Sequence, residues 1–425
     1  MDSLACGEDR RLGPTVTAHL IPTDAEGTQP PSTRRVRLAA STAGIRELPR
    51  SVRLALASLF IVNGATYVAF PLLAVKLTQV DHLPAGRVGT VLTVFLLAAR
   101  LLPMAAGPIA DRYDPRIVMM VGAASRGLGF LGLGLSTGNT MLLVSAFFAG
   151  AGAIFEAPVS GLLAAQPEPI RSRAFATENA VLNASVIVGP ALAAVLVRMG
   201  PRVPFVCSGI LFALIVFTVV GIKAPPREGS ARRSAYAYAR STLANRRFVL
   251  FGVLMLPWWF LFTQLAVAVP LRSNAVAGPG WIGTVYVGSG IAGLVYIPFV
   301  KALQTRIGNL RVATAGYAVV ASGLGLVALS QSKWWLLACV IVYMLGETMV
   351  LFSSQMILAS FADEGTRASY FGIYAGSWAV GGTIGNYVGV YATAQPLTSG
   401  AWLLFGGVGL AATALFTIVF GRTKW

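Results

Sequence analysis

The sequence predicts an all-α integral membrane protein: twelve transmembrane helices in two pseudo-symmetric six-helix bundles, with both termini in the cytoplasm. Three observations carry that prediction. Apolar residues make up 56% of the 425-residue chain and charged residues only 12%. Mean hydropathy is +0.71, and runs of about twenty apolar residues, each long enough to cross a hydrocarbon core of about 30 Å, recur about twelve times. Lys and Arg gather in the N-terminal tail, the even-numbered loops and the C-terminus, the asymmetry that keeps those segments cytoplasmic. One long polar break, residues 223–247, lies near the middle of the chain, where a duplicated protein would join its halves.

Taken in order, residues 1–53 form a basic tail with no sustained apolar run; its composition predicts disorder. Residues 15–22 are too short and too polar for the apolar segment of a signal peptide. Residues 54–222 form the first six-helix bundle. Its spans are expected at about 54–77, 88–106, 117–135, 141–165, 175–197 and 203–222. The linker, 223–247, holds seven basic residues against the single Glu228, with Pro225 and Pro226, and nothing in it can cross a bilayer. Residues 248–425 form the second bundle, with spans at about 248–271, 282–300, 312–329, 335–358, 370–393 and 401–420. Sliding one half by 196 residues superposes Gly150 on Gly346, Arg171 on Arg367, Phe175 on Phe371 and Gly189 on Gly385.

Charge inside the apolar runs is the informative chemistry. Arg100 and Arg126 fall within spans two and three, Glu156 within span four and Glu347 within span ten. A lone charge in hydrocarbon is costly, so each must pair, face a water-filled cavity or, if acidic, take up a proton. A carboxyl that alternates between protonated and paired states is what proton coupling requires. Glu347 and Glu156 are therefore the first proton-coupling candidates. Glu178, five residues after Arg173 at the start of span five, is a weaker one. Either arginine could serve Glu156, and the sequence leaves the partner open. Cys6, Cys207 and Cys339 are scattered and only His19 and His82 occur, so neither a disulfide framework nor a metal site is expected. The net charge of +17 follows topology and does not form a nucleic-acid surface.

Between spans two and three lies G-P-I-A-D-R-Y-D-P-R, residues 107–116, a charged stretch that must sit at the water boundary. It resembles the G-x-L-A-D-R-x-G-R-[KR] signature of the major facilitator superfamily. Gly107, Ala110, Asp111, Arg112 and Arg116 match in type, whereas Asp114 stands where glycine is usual and Pro115 replaces a basic residue. Residues 301–311 carry a degenerate second copy. In span five, Gly189 and Pro190 resemble the core of the antiporter pattern G-x-x-x-G-P-x-x-G-G, with Ser185, Ala193 and Ala194 in place of its other glycines. Leu345-Gly346-Glu347 resembles a pattern of proton-driven multidrug exporters, and residues 150–165 resemble span four of the MdtH-like exporters.

The resemblance covers about residues 54–421 and implies alternating access at the interface of two halves. It implies that Gly107, Asp111, Arg112 and Arg116 act as a cytoplasmic latch. It also implies a substrate cavity lined by Asn63, Tyr67, Phe155, Trp258, Trp259, Gln264, Tyr286, Tyr343, Tyr374, Trp378 and Asn386. The expected function is proton-coupled export of hydrophobic or amphipathic small molecules such as drugs, in the manner of multidrug antiporters. A lipid or lysolipid translocator, or a proton-coupled importer, is the alternative on the same fold. No nucleotide-binding loop or catalytic constellation occurs, so an enzyme is not expected. The expected cofactor is none, with the proton gradient as energy source. The expected partners are a hydrophobic small molecule, protons and membrane lipids, in a monomer of the cell membrane.

Overall fold

A computed structural model describes residues 47–110, 114–167, 170–222, 242–361, 367–394 and 398–422. They are almost wholly helical. Span one is Arg50–Val75, extended by a wide π-helical turn, Lys76–Val80, and span two is Ala85–Ala110. Span three is Pro115–Leu135, with the Asp114 carboxylate accepting from the Arg116 amide at 2.8 Å and Pro115 at the first helical position. Span four comes in two pieces, Asn139–Ala151 and Glu156–Ala164, joined by a tight 3₁₀ turn at Gly152–Phe155. Spans five and six are Ile170–Leu196 and Val203–Val220. Span seven is broken twice, into Arg246–Leu254, Leu256–Thr263 and Ala268–Ala277. Spans eight to twelve are Pro279–Ile307, Asn309–Gly325, Lys333–Ser360, Arg367–Ala392 and Gly400–Arg422.

Eleven of these segments are long and apolar enough to cross a membrane. Span eleven has the length but less apolar character, because it is an interior helix. Its buried positions include Tyr374, Gly381, Gly382, Gly385 and Asn386. The loop expected at 301–311 is almost absent. Spans eight and nine run together, separated only by Gly308, whose φ of +84° is the left-handed conformation that favours glycine. Spans one and seven run further at their outer ends than hydropathy suggests. There Lys76 is buried against Asp81, and Arg272 donates to the Ser330 carbonyl. A helix can carry a cation into its last turns when the charge finds an oxygen.

One hydrophobic core is built mainly from the first half, and a second large core and a third small one from the second half. Span one packs on spans five and six, span two on four, and span three on four and six. The second half repeats this, with span seven on eleven, eight on ten, and nine on ten and twelve. A Cβ on Gly189 would lie 2.6 Å from both the Gly64 carbonyl and the Tyr67 Cβ. A Cβ on Gly385 would lie 2.9 Å from the Phe260 carbonyl and from the Thr263 Cβ. The shift of 196 residues carries 189, 64 and 67 onto 385, 260 and 263, so the duplication extends to individual contacts.

The halves meet along two seams, spans two with eleven and five with eight. Gly86 and Gly89 lie under Tyr391 and Tyr387, Thr90 shares a 2.9 Å hydrogen bond with the Tyr387 hydroxyl, and Gly283 abuts Pro190 and Ala194. Asn274 donates to Gln79 at the outer tips. These contacts run from mid-membrane to the outer end, away from the basic loops.

Candidate functional site

At the centre, between the halves, lies a cavity of about 290 Å³. Spans one, two, three, four, seven, eight and eleven all contribute to its wall. Of the residues expected there, Asn63, Tyr67, Tyr286, Trp378 and Asn386 line it, together with Arg100, Arg126 and Glu156. Phe70, Phe95 and Phe262 add apolar surface that the sequence reading did not assign. A cavity with an aromatic wall and a few polar anchors suits a small amphipathic molecule. The outer seams close it on one side, and the Glu156 side chain keeps 49% of its exposure. Water thus reaches Glu156, which lies toward the end of the cavity that carries the basic loops, the cytoplasmic end by the charge rule.

The two broken spans shape the wall. Pro158 has no amide proton to offer the Ile154 carbonyl, and the chain there tightens into the turn 152–155. That turn needs Gly152, because a Cβ would fall 2.3 Å from the Arg126 Cβ and 2.6 Å from the Gly122 carbonyl. Arg126 is buried in the gap. Its Nε donates to the Ala149 carbonyl at 3.3 Å, and its guanidinium meets Glu156 at 3.6 Å. In span seven, Pro270 likewise withholds a donor from Ala266, and residues 264–267 leave the helix, with 265–267 facing the cavity. The Tyr286 hydroxyl donates to the Leu265 carbonyl at 2.6 Å, and the Gln264 amide donates to Phe260 and Gly385. Irregular backbone at membrane depth survives only where such partners exist.

Arg100 has a different environment. Its guanidinium lies 3.3 Å from the centre of the Trp378 ring, across the seam between the halves. Trp378 is itself stacked on Trp259, with ring centres 4.4 Å apart and planes within 6°, and Phe262 meets it edge-on at 5.1 Å. The Trp259 indole donates to Ser377 at 2.9 Å, which fixes the stack. Between the two arginines left open by the sequence, Arg126 is the one in contact with Glu156.

Six residues expected on the cavity wall are placed elsewhere. Trp259 is the hidden second layer beneath Trp378, and Gln264 turns into the span seven break. Trp258 is buried against Tyr317 and Phe262 in the second core. Phe155 is buried in the first core, beside Gly122. Tyr343 packs on Gly323, and Tyr374 lines a small side pocket with Phe248 and Ser377. Helical register decides these placements, and hydropathy does not report it.

Glu347 is buried in span ten, one turn beyond Tyr343, and its Oε2 has no hydrogen-bond partner. It is not part of the cavity wall, but it acts electrostatically on the Tyr67 hydroxyl, as do Glu156, Arg100 and Arg126. Glu178 is half-buried on span five, within electrostatic reach of Glu156. Gly189 and Pro190 lie within a continuous span five at its junction with spans one and eight. Of the expected latch, Asp111 and Arg112 lie outside the described residues, and Gly107 lies in the last turn of span two. Arg116 is half-buried at the start of span three, 3.6 Å from Asp114.

Residues 55–296, more than half of the chain, match the family model of the Major Facilitator Superfamily. The chain is 24% identical over 360 residues to the multidrug resistance protein MdtH of Salmonella typhi, covering 84% of this chain and 87% of that one. The MdtH of Enterobacter sp. (strain 638) is 24% identical over 368 residues with the same coverage. Among solved structures, a mutant of the nucleoside transporter NupG superposes with a TM-score of 0.76 at 13% identity, covering 87% of this chain and all of that one. The POT family transporter PepTSo gives a TM-score of 0.72 at 17% identity, over 88% of this chain and 98% of that one. With an all-helical, two-seamed fold around a central cavity and this family match, the chain belongs to the major facilitator superfamily: it is a multi-pass membrane transporter, not an enzyme.

Proposed function

We propose that the chain exports hydrophobic or amphipathic small molecules in exchange for protons, as a monomer with no cofactor. The observation that carries this is Glu156, a carboxylate at membrane depth that lines an aromatic cavity and is held by Arg126 at 3.6 Å. Such a pair has two states. Ionised, Glu156 locks Arg126; protonated, it releases it. Glu347, buried without a partner for Oε2, is the second place where a proton can rest. In the cytoplasm-facing form a substrate enters from the open end. Closing that end and parting the outer seams would then expose it to the other side, where a proton replaces it. The similarity to the two MdtH multidrug resistance proteins supports drugs as the substrate class.

Purified protein in liposomes, loaded with a pH-sensitive dye and given a panel of amphipathic drugs, tests this reading. Drug-triggered proton movement opposite to drug flux is the expected result. Glu156→Gln and Glu347→Gln should each fold and bind, yet fail to concentrate drug uphill. Uphill transport that survives both substitutions would remove proton coupling from these acids. Movement of a labelled lipid with no drug-linked protons would point to a translocator.

A further inference from the structure

We propose that the central cavity selects anionic aromatic amphiphiles, with Arg100 and the Tyr67 hydroxyl forming the seat for a carboxylate group. This rests on the export reading above and names the substrate class of the same cavity.

The ionised side chains of the wall do not balance. Arg100, Arg126 and Glu156 all line the cavity, two cations against one carboxylate. Arg126 takes that carboxylate at 3.6 Å and gives its Nε to the Ala149 carbonyl. Among the described residues no carboxylate pairs with Arg100. The groups that act on it electrostatically are Glu156, Tyr67 and Arg126, while Glu347 and Glu178 act on neither arginine. A monoanion entering this space brings the wall to neutrality. A lipophilic cation would add a third positive charge at membrane depth, where like charges are poorly screened.

The hydrogen-bond donors point the same way. The amides of Asn63 and Asn386 and the hydroxyls of Thr66, Thr263 and Tyr286 already donate within the protein. The Arg100 Nε–H has no partner. One face of its guanidinium lies over the Trp378 ring, 3.3 Å from the ring centre. Such a contact engages the face of the cation and leaves its in-plane fork of N–H groups free, and that fork matches the two oxygens of a carboxylate. Trp378 is itself stacked on Trp259 at 4.4 Å, so the cation is presented on a fixed support. The Tyr67 hydroxyl lines the same cavity, and no described residue takes its proton. A cation without a counter-ion, held flat on a ring beside an unspent hydroxyl, is an anion seat whose ordering cost is already met. Phe70, Phe95 and Phe262 give the aromatic part of the ligand its apolar wall.

The test uses three naphthalenes that differ only in head group: 2-naphthoate, 2-naphthamide and trimethyl(2-naphthyl)ammonium. Their binding to the purified full chain in neutral-lipid nanodiscs is read by titration calorimetry at neutral pH, with empty nanodiscs as the blank. The wild type should bind the anion most tightly and the cation most weakly. Arg100→Gln should weaken naphthoate roughly ten- to hundred-fold, the span of a hydrogen bond to a charged group, and change naphthamide little. Arg100→Lys keeps the charge without the fork, so it should still prefer the anion at intermediate affinity. Tyr67→Phe should weaken naphthoate several-fold and spare the cation. Unchanged melting temperatures show that the variants are folded. If Arg100→Gln weakens naphthoate and naphthamide equally, the arginine only props Trp378 and the proposal is overturned. A wild type that prefers the cation, or binds none of the three, overturns it as well. No gradient is involved, so the result is independent of the liposome assay. Proton-linked movement of cationic drugs with no preference for naphthoate would sink the anion seat alone. Naphthoate binding that follows Arg100, with no drug-linked proton movement, would sink the export reading and keep the seat.

Discussion

Lys76, Arg126 and Arg100, three cations at membrane depth or near it, are each accommodated in a different way. Lys76 is closed against Asp81 at 2.5 Å, with both side chains 1% exposed. Arg126 divides its donors between a carbonyl and a half-exposed carboxylate. Arg100 rests on a ring. Removing one member of a buried pair costs more than removing both, because the survivor is left uncompensated. Lys76→Ala should therefore be the most damaging of single truncations, by about 3–5 kcal/mol, while Lys76→Ala with Asp81→Ala should recover part of that loss. Thermal melts of the purified variants would check it; equal damage from the single and double variants would show that the pair is not coupled. Arg126→Ala should cost less, about 1–2 kcal/mol, since water already reaches Glu156. The sequence marked Arg100, Arg126, Glu156 and Glu347 as anomalous because charge in a twenty-residue apolar run is visible without structure. It did not mark Lys76 and Arg272, which sit at run ends where a charge looks ordinary.

At the scale of helices, long apolar runs located the spans, since a bilayer imposes a minimum length that loops do not share. The breaks in spans four and seven were harder to see. Their signals were present in Pro158 and Pro270, each of which withholds an amide proton four residues back, but a membrane helix can absorb a proline with no break at all, as span eight does at Pro298. Beside the break in span seven the carbonyls of Phe260 and Leu265 take side-chain donors from Gln264 and Tyr286, partners that only packing supplies. Glycines divide in the same way. Gly189→Ala and Gly385→Ala should each destabilise the fold, because their Cβ atoms would collide with the facing helix in both halves. Gly376, with nothing within 4 Å of an added Cβ, lies on the same helix as Gly385. Gly376→Ala should be neutral or stabilise by about 0.5–1 kcal/mol. Melting temperatures of the three variants would show it, and a loss at Gly376 equal to that at Gly385 would sink the packing account.

Across the whole molecule, the distribution of Lys and Arg set which end faces the cytoplasm, and the shift of 196 residues pointed to two related halves. Neither could say which of the alternating conformations the chain adopts, because both bury similar surfaces and differ only in which ends of the seams touch. Here the outer ends touch: Thr90 with Tyr387, Asn386 with Thr93, and Gln79 with Asn274. Alternating access requires these contacts to part in every cycle, whichever substrate is carried. A chain with Cys6, Cys207 and Cys339 changed to Ser, and with Gln79→Cys and Asn274→Cys added, puts that to a direct test. A short bifunctional thiol reagent with a reducible bridge should fix the outer tips together. Substrate should still bind from the basic end, transport should stop, and cleavage of the bridge with a reductant should restore it. Each single-cysteine variant should transport normally after the same treatment. Transport that continues across an intact bridge would mean the outer tips stay closed throughout the cycle, and the cavity would then have to empty by another route.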